Sequence, residues 1–173
     1  MLELTAKHRG EYFALYQDTW FNPKYMYYNY RDYYNDPTIS DSTWEMHDFV
    51  SVFDGKVLGN IHYQVNRSTR NVCGLGIICF EEKPSIIFGR DVLRAVTDIF
   101  EKFRFHKLGC SVITANPIMK TYDRFITQHG GRICGVEHEE TMLFDGLYYD
   151  VKHYEILAKD WFDAKIKKCV TGG

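Results

Sequence analysis

Apolar and polar positions along the chain change period repeatedly, and each change predicts an element. Residues 2–4 read as a short strand. Thr5 is placed to cap a helix, and Phe13, Tyr16 and Trp20 then recur at helical spacing over residues 9–19. Asn22-Pro23 breaks that run. Residues 25–37, YMYYNYRDYYNDP, fit a second helix or an irregular excursion, and the pattern leaves both open. From Asp48 the period shortens: Phe49, Val50, Val52 and Phe53 lead to Asp54-Gly55, a strong hairpin signal, and Val57, Leu58, Ile61, Tyr63 and Val65 return. A polar turn at 66–71 feeds a third antiparallel strand over 72–80.

Helical spacing returns after a loop. Val92/Leu93, Val96, Ile99/Phe100 and Phe103 form one face of a helix predicted over 90–105, with Gly109 marking its exit. Residues 110–115 predict a buried strand, parallel to its predecessor because a helix separates the two. Asn116-Pro117 opens another helix, with Met119, Tyr122, Phe125/Ile126 and His129 on one face and Gly130-Gly131 closing it. A hairpin then pairs 132–144 with 147–157 about Asp145-Gly146. Residues 158–173 read as a charged tail with Trp161 and Phe162 as packing anchors and a loose Thr-Gly-Gly end.

Composition narrows the picture modestly. A chain of 173 residues with 45% hydrophobic content is long enough for a full core. Its net charge of −2 provides no drive toward nucleic acid or an anionic membrane. Five scattered cysteines and seven histidines show no metal-ligand spacing, so no metal is expected and the thiols read as reduced, cytoplasmic ones. No apolar run approaches the roughly 18 residues that span a membrane. The compositional outlier is aromatic, with 13 Tyr and 12 Phe.

The junction NVCGLGIICFEEKPSIIFG, from Asn71 to Gly89, is the most informative stretch. A strand running through a loop into a helix presents backbone N–H groups and the positive end of a helix dipole, which together bind phosphate. Amides of Ile87, Phe88, Gly89 and Arg90 are placed to supply those donors.

The order of elements, together with FVSVFDGKVLGNIHYQV, GLGIICFEEKPSIIFGRDVL and MLFDGLYYDVKHYEILAKDWF, resembles the GNAT superfamily of acyl-CoA-dependent N-acetyltransferases. The last segment resembles the family's closing hairpin of the form DGxYxDxxxYxI…W, and the sequence is most similar to the branch containing the ribosomal-protein N-terminal acetyltransferases. The resemblance implies an α/β (α+β) fold with a mixed, mostly antiparallel sheet of about seven strands and about four helices. It implies one domain over 1–173, with 1–47 on the acceptor side, 48–157 as core and 158–173 as tail. Acetyl-CoA is the implied co-substrate, held by Ile78, Cys79, Phe80, Ser85, Ile87, Phe88, Gly89, Arg90 and Asn116. The family's loop pattern is Gln/Arg-x-x-Gly-x-Gly/Ala. Here only Gly89 survives, and β-branched Ile87 stands where a glycine with φ > 0 is usual.

Acyl transfer to an amine needs a base, and Glu81 and Glu82 near the strand end are candidates, at most one of which faces the cleft. His62, Glu137, His138, Glu139 and Glu140 are further choices. An N–H near Phe80 is expected to meet the oxyanion. Tyr122, six residues past Asn116, is the tyrosine at hand for the family's thiolate-protonating role, although counting back from Gly130 puts Ile126 there and a core place on the apolar face suits Tyr122 better. Asn116 either contacts the pantetheine arm or caps a helix. Tyr27, Tyr28, Tyr30 and His62 fall where the family binds its acceptor, and Asp32, Asp36 and Asp41 favour an amine there. The implied acceptor is a primary amine of a protein N-terminus, a lysine or a small molecule. The tyrosine patch equally suits a homodimer contact. Two rivals stand beside this reading: a GNAT-fold binding or assembly protein without catalysis, and a GNAT-like enzyme acting on a nucleic-acid base, against which the net charge counts.

Overall fold

The computed structural model describes residues 1–28 and 36–171. Strands β1 (Leu2–Leu4), β2 (Met46–Phe53), β3 (Lys56–Asn66), β4 (Asn71–Cys79), β5 (Lys107–Ile113), β6 (Arg132–Met142) and β7 (Tyr148–Leu157) form one sheet, ordered β1-β2-β3-β4-β5-β7-β6. Helices α1 (Arg9–Gln17), α2 (Ile86–Glu101), α3 (Met119–Gln128) and α4 (Ala158–Thr171) flank it, and short 3-10 turns occupy Thr5–His8 and Pro23–Tyr25. Every pairing is antiparallel except β4 with β5, as the intervening helix requires.

Asp54 and Gly55 both take positive φ, so the β2–β3 hairpin closes as its sequence dictates. The apolar stripe of α2 buries Ala95, Val96, Ile99 and Phe100 against the sheet. The N-terminal end of α2 docks through Phe88, which is 4% exposed. Gly59 makes that docking possible: a Cβ there would overlap the Phe88 ring and the Ile78 carbonyl.

Several local expectations are corrected. The α2 helix starts at Ile86 rather than residue 90, because Ser85 caps it: the Ser85 Oγ accepts the Phe88 N–H at 3.2 Å. It ends at Glu101, with Arg104 turning the chain at φ 58, so Gly109 lies inside β5 rather than at the helix exit. Thr5 caps nothing, being fully buried with its hydroxyl donating to Asp48. Asn116 does not open α3 directly; its Oδ1 accepts the Ile118 N–H in a turn that precedes the helix. The tail is not loose through residue 171. It forms α4, anchored by Trp161, which stacks on Phe100 at 4.9 Å and on His129 at 4.7 Å. Phe162 stays exposed and is no anchor. Residues 172–173 of the expected loose end lie outside the described residues. No helix among the described residues is long and apolar enough to cross a membrane.

Candidate active site

Strands β4 and β5 pair only at Asn71↔Lys107 and Val72↔Leu108, and then part. Beyond Val72, β5 pairs with β7 while β4 continues beside β3 to Cys79, leaving the β5-facing edge of β4 without a partner strand. A wedge-shaped cleft opens there. The Phe80 amide donates to the Leu58 carbonyl at 2.9 Å, so it faces β3 and not the open edge. Alternation along the strand instead aims the amides of Ile77 and Cys79 at the open edge. Ile78 is buried in the sheet, and burial pushes the half-buried Cys79 thiol above its ordinary pKa.

At the end of β4 the chain makes a turn governed by Glu81. Its carboxylate accepts the Ser85 N–H at 3.1 Å and the Ser85 hydroxyl at 2.8 Å. Glu81 therefore organises the turn and places its own negative charge at the start of α2, a position complementary to the helix dipole. Glu82 is exposed. Lys24 Nζ donates to the Glu81 carbonyl at 2.6 Å, tying the acceptor-side segment to this turn. Ile87 is helical with no positive φ, so the strain expected at that position does not arise. The Phe88 amide is taken by Ser85, and the Gly89 amide donates to the Ser85 carbonyl at 3.0 Å. Helix geometry leaves the amides of Ile86 and Ile87 without intrahelical acceptors. Ile86 is 92% exposed and fills no hollow, and a Cβ at Gly89 would meet nothing within 4 Å. Arg90 lies a turn further on, facing a depression between β1 and α2 rather than the turn itself. Two amides and open space thus fit a phosphate group, with Glu81 as its nearest competitor.

The other border of the cleft is built on a buried polar chain. Asp48 Oδ1 accepts the Thr5 hydroxyl at 2.6 Å and Asn60 Nδ2 at 2.7 Å; Asn60 Nδ2 also reaches the Phe49 carbonyl at 3.0 Å. Asn60 Oδ1 lies 3.0 Å from His62 Nδ1, and Tyr28 Oη is 3.5 Å from the same nitrogen. Burial lowers the pKa of His62, opposed by the Asp48 charge. Above this chain Tyr12, Tyr16, Tyr28 and Phe80 pack edge to face or tilted, with centroids 5.8–6.5 Å apart. Tyr27 and Met26 pack on the other side of the cleft, against Ile113, Leu143 and Val151. Residues 26–28 therefore bridge the two diverging halves of the sheet.

Tyr122 on α3 lies near Tyr28, and burial raises its pKa and keeps the phenol protonated. Asn116 is half-buried with its side-chain oxygen engaged in the turn before α3. Tyr30 and Asp32 lie outside the described residues. Asp41 pairs with Arg9 at 2.7 Å and Asp36 accepts from Gln17 at 3.3 Å, so neither carboxylate is held open for an amine. The β6 candidates are remote from the cleft: β6 is the outer strand, where Glu137 pairs with His153 and His138 with Asp150. Sequence reasoning passed over Thr5, Asp48, Asn60 and Gly76. A signal existed, since Asn60 and His62 stand two apart on one face of a strand whose opposite face, Ile61, Tyr63 and Val65, is apolar.

No family model matches the sequence, and no curated protein matches it. Solved structures do. A spermidine N-acetyltransferase from Vibrio cholerae, solved in complex with CoA and spermine, aligns over 94% of this chain and 97% of its own, at 21% identity and a TM-score of 0.73. A chimera of that enzyme aligns over 90% of this chain and 94% of its own, at 20% identity and a TM-score of 0.67. A protein classed as a probable acetyltransferase covers 68% of this chain, which spans only 65% of that one, at 17% identity and a TM-score of 0.58. At these identities the likeness establishes the fold: a seven-stranded, mostly antiparallel GNAT sheet with four helices.

Proposed function

We propose that this protein is an N-acetyltransferase that moves an acetyl group from acetyl-CoA to a primary amine. The observation that carries the reading is the parting of β4 from β5 after two residue pairs, beside a helix N-terminus and beneath a roof of tyrosines. Acetyl-CoA would supply a thioester whose carbonyl carbon is the electrophile. Ile77 and Cys79 offer amides along the open strand edge to bear the developing oxyanion charge. Ile86, Ile87 and the open face at Gly89 would hold the diphosphate, with Asn116 at the end of β5 beside the pantetheine arm. Tyr122 would return a proton to the departing sulfur. In balance, a C–N bond forms and the C–S bond breaks. The acceptor ammonium gives up two protons, one to the sulfur and one to solvent. Much of the acceleration would come from holding amine and thioester together, which does not depend on any one residue.

The acceptor enters beneath residues 26–28, where Tyr27 and Tyr28 provide rigid, amphipathic area. Spermine and spermidine suit this reading because structurally similar enzymes are spermidine N-acetyltransferases. Peptide amines stand beside them, because Asp145, Gly146, Tyr148, Asp150, Tyr154 and Ile156 carry the likeness to the ribosomal-protein branch. One observation favours the rival of a non-catalytic binding protein: Glu81 already occupies the start of α2.

Calorimetry with acetyl-CoA, followed by a thiol-release assay over spermidine, spermine, a peptide with a free N-terminal amine and a lysine peptide, separates the two. Micromolar binding with turnover of any amine is the expected result. No heat and no thermal shift at millimolar acetyl-CoA would leave the binding-protein reading standing.

A further inference from the structure

Asn60 is fully buried, and its two polar atoms can be told apart. One faces the Asp48 carboxylate oxygen and the Phe49 carbonyl, both acceptors, so that atom must be the amide nitrogen. The other, Oδ1, is an acceptor only and lies 3.0 Å from His62 Nδ1. His62 must therefore carry its proton on Nδ1 and donate it to Asn60. In the neutral ring, Nε2 then holds a free lone pair. The chain has a fixed polarity from Asp48 through Asn60 to the imidazole, and Thr5 locks its far end.

The ring also reaches a significant place. His62 on β3 is in register with Gly76 on β4, four residues beyond the last β4–β5 pair. A Cβ at Gly76 would overlap Cε1 and Nε2, so the missing side chain lets this edge of the imidazole extend across β4 toward the cleft. Gly76 precedes Ile77, whose amide faces the open edge. The basic nitrogen, carried on β3 but lying against Gly76, is thus next to the Ile77 amide of β4. Glu81, by contrast, is committed to Ser85, and Glu82 points to solvent.

Resting on the acetyl-transfer reading, we infer that His62 is the general base, taking the first proton of the acceptor ammonium on Nε2, and that Asp48 and Asn60 are positioning residues that set its tautomer. The N–H bond of the ammonium breaks and an N–H bond forms at Nε2; the freed amine pair then attacks the thioester carbon. The imidazolium keeps its Nδ1–H on Asn60 and passes the new proton to solvent. The groups facing His62 are Asp48 from β2 and Tyr28 from the bridging segment, with Tyr12 and Tyr16 of α1 and Tyr122 of α3 around Tyr28. Burial raises the pKa of Tyr12, Tyr28 and Tyr122, so they stay neutral while His62 titrates.

The test combines kinetics with a readout that needs no turnover. Nitrogen-15 NMR of the imidazole in the unliganded protein is expected to show the Nδ1–H tautomer at His62; an Nε2–H tautomer overturns the assignment. With the best acceptor of the amine panel, His62→Gln should lower kcat about a hundredfold or more. Calorimetric acetyl-CoA affinity should stay within about twofold. The acidic limb of kcat/KM should vanish, and imidazole should restore rate to His62→Ala. Gly76→Ala, which leaves the histidine in place but displaces its ring, should reproduce much of the loss. Turnover by the unaltered protein with an unchanged acidic limb in His62→Gln overturns the base assignment alone. No turnover by the unaltered protein overturns the acetyl-transfer reading and this assignment with it.

Discussion

The turn from Phe80 to Ser85 and the polar chain beneath the tyrosines border the same cleft, but their hydrogen bonds span very different lengths of sequence. In the turn, Glu81 bonds Ser85 and Ser85 bonds Phe88, all within a few positions. In the chain, Thr5 reaches Asp48 across 43 positions and Asn60 reaches Thr5 across 55. The first is exposed at its rim and replaceable bond by bond. The second is sealed, so every member must be satisfied together or the sheet bears a buried unpaired group. The turn is thus locally assembled and tunable, while the polar chain is cooperative.

The strongest way to break that contrast is Asn60→Ala. It strips Asp48 of a donor, leaves the His62 Nδ1–H without its acceptor and opens a cavity, for an expected loss of about 3 kcal/mol. Urea unfolding measures it; a loss within experimental error would mean the chain is not a unit.

Acid should probe the same side next. Burial is the first cause lowering the pKa of His47, of His62 and of His129 below the ordinary 6.5. The unfolded chain therefore binds more protons than the native one below that value, so stability falls as pH drops from 6.5 toward the lowered native values. The thermal midpoint should decline across that window, and His62→Gln should flatten part of the slope.

Ser85→Ala removes a helix cap together with the hydroxyl's bond to Glu81 and should cost about 1 kcal/mol, read by the same unfolding curves. Its effect should not couple to Asn60→Ala, because the two share no partner. A double mutant whose loss departs strongly from the sum would erase the distinction between the two regions.

The smallest effect is the most diagnostic for the cofactor side. Glu81→Gln keeps an acceptor for Ser85 but withdraws a negative charge from the start of α2. Acetyl-CoA should bind about twofold to fivefold tighter, the range expected for a single charge at a helix terminus. Weaker binding in isothermal titration would show that Glu81 helps shape the diphosphate site instead of competing for it.

The hairpins, the central helix and the element order were legible because each rests on short-range pattern: Asp54-Gly55, the α2 stripe, the Gly130-Gly131 stop. Ser85 as a cap was legible in principle too, but the glycine expected at position 87 drew attention away from it. Trp161 was legible as an anchor of the tail, but the helix that carries it was not, because apolar positions there are sparse and Trp161 meets Phe100 and His129 only after α2 and α3 are in place. The site was harder still. Tyr122, His62 and Tyr28 could be named individually, yet nothing local says that they converge, nor that the Phe80 amide turns toward β3.

The linear order of residues by itself determined which segments are strands and helices, where the hairpins turn and that one sheet face must be buried, because these follow from periodicity and backbone chemistry within a few positions. Only the tertiary structure decided where β4 leaves β5, which amides face the gap and which nitrogen of His62 carries the proton. Those depend on strand register and on buried partners dozens of residues away, and a polar side chain acquires a defined hydrogen-bond direction only when the fold has removed water from its alternatives.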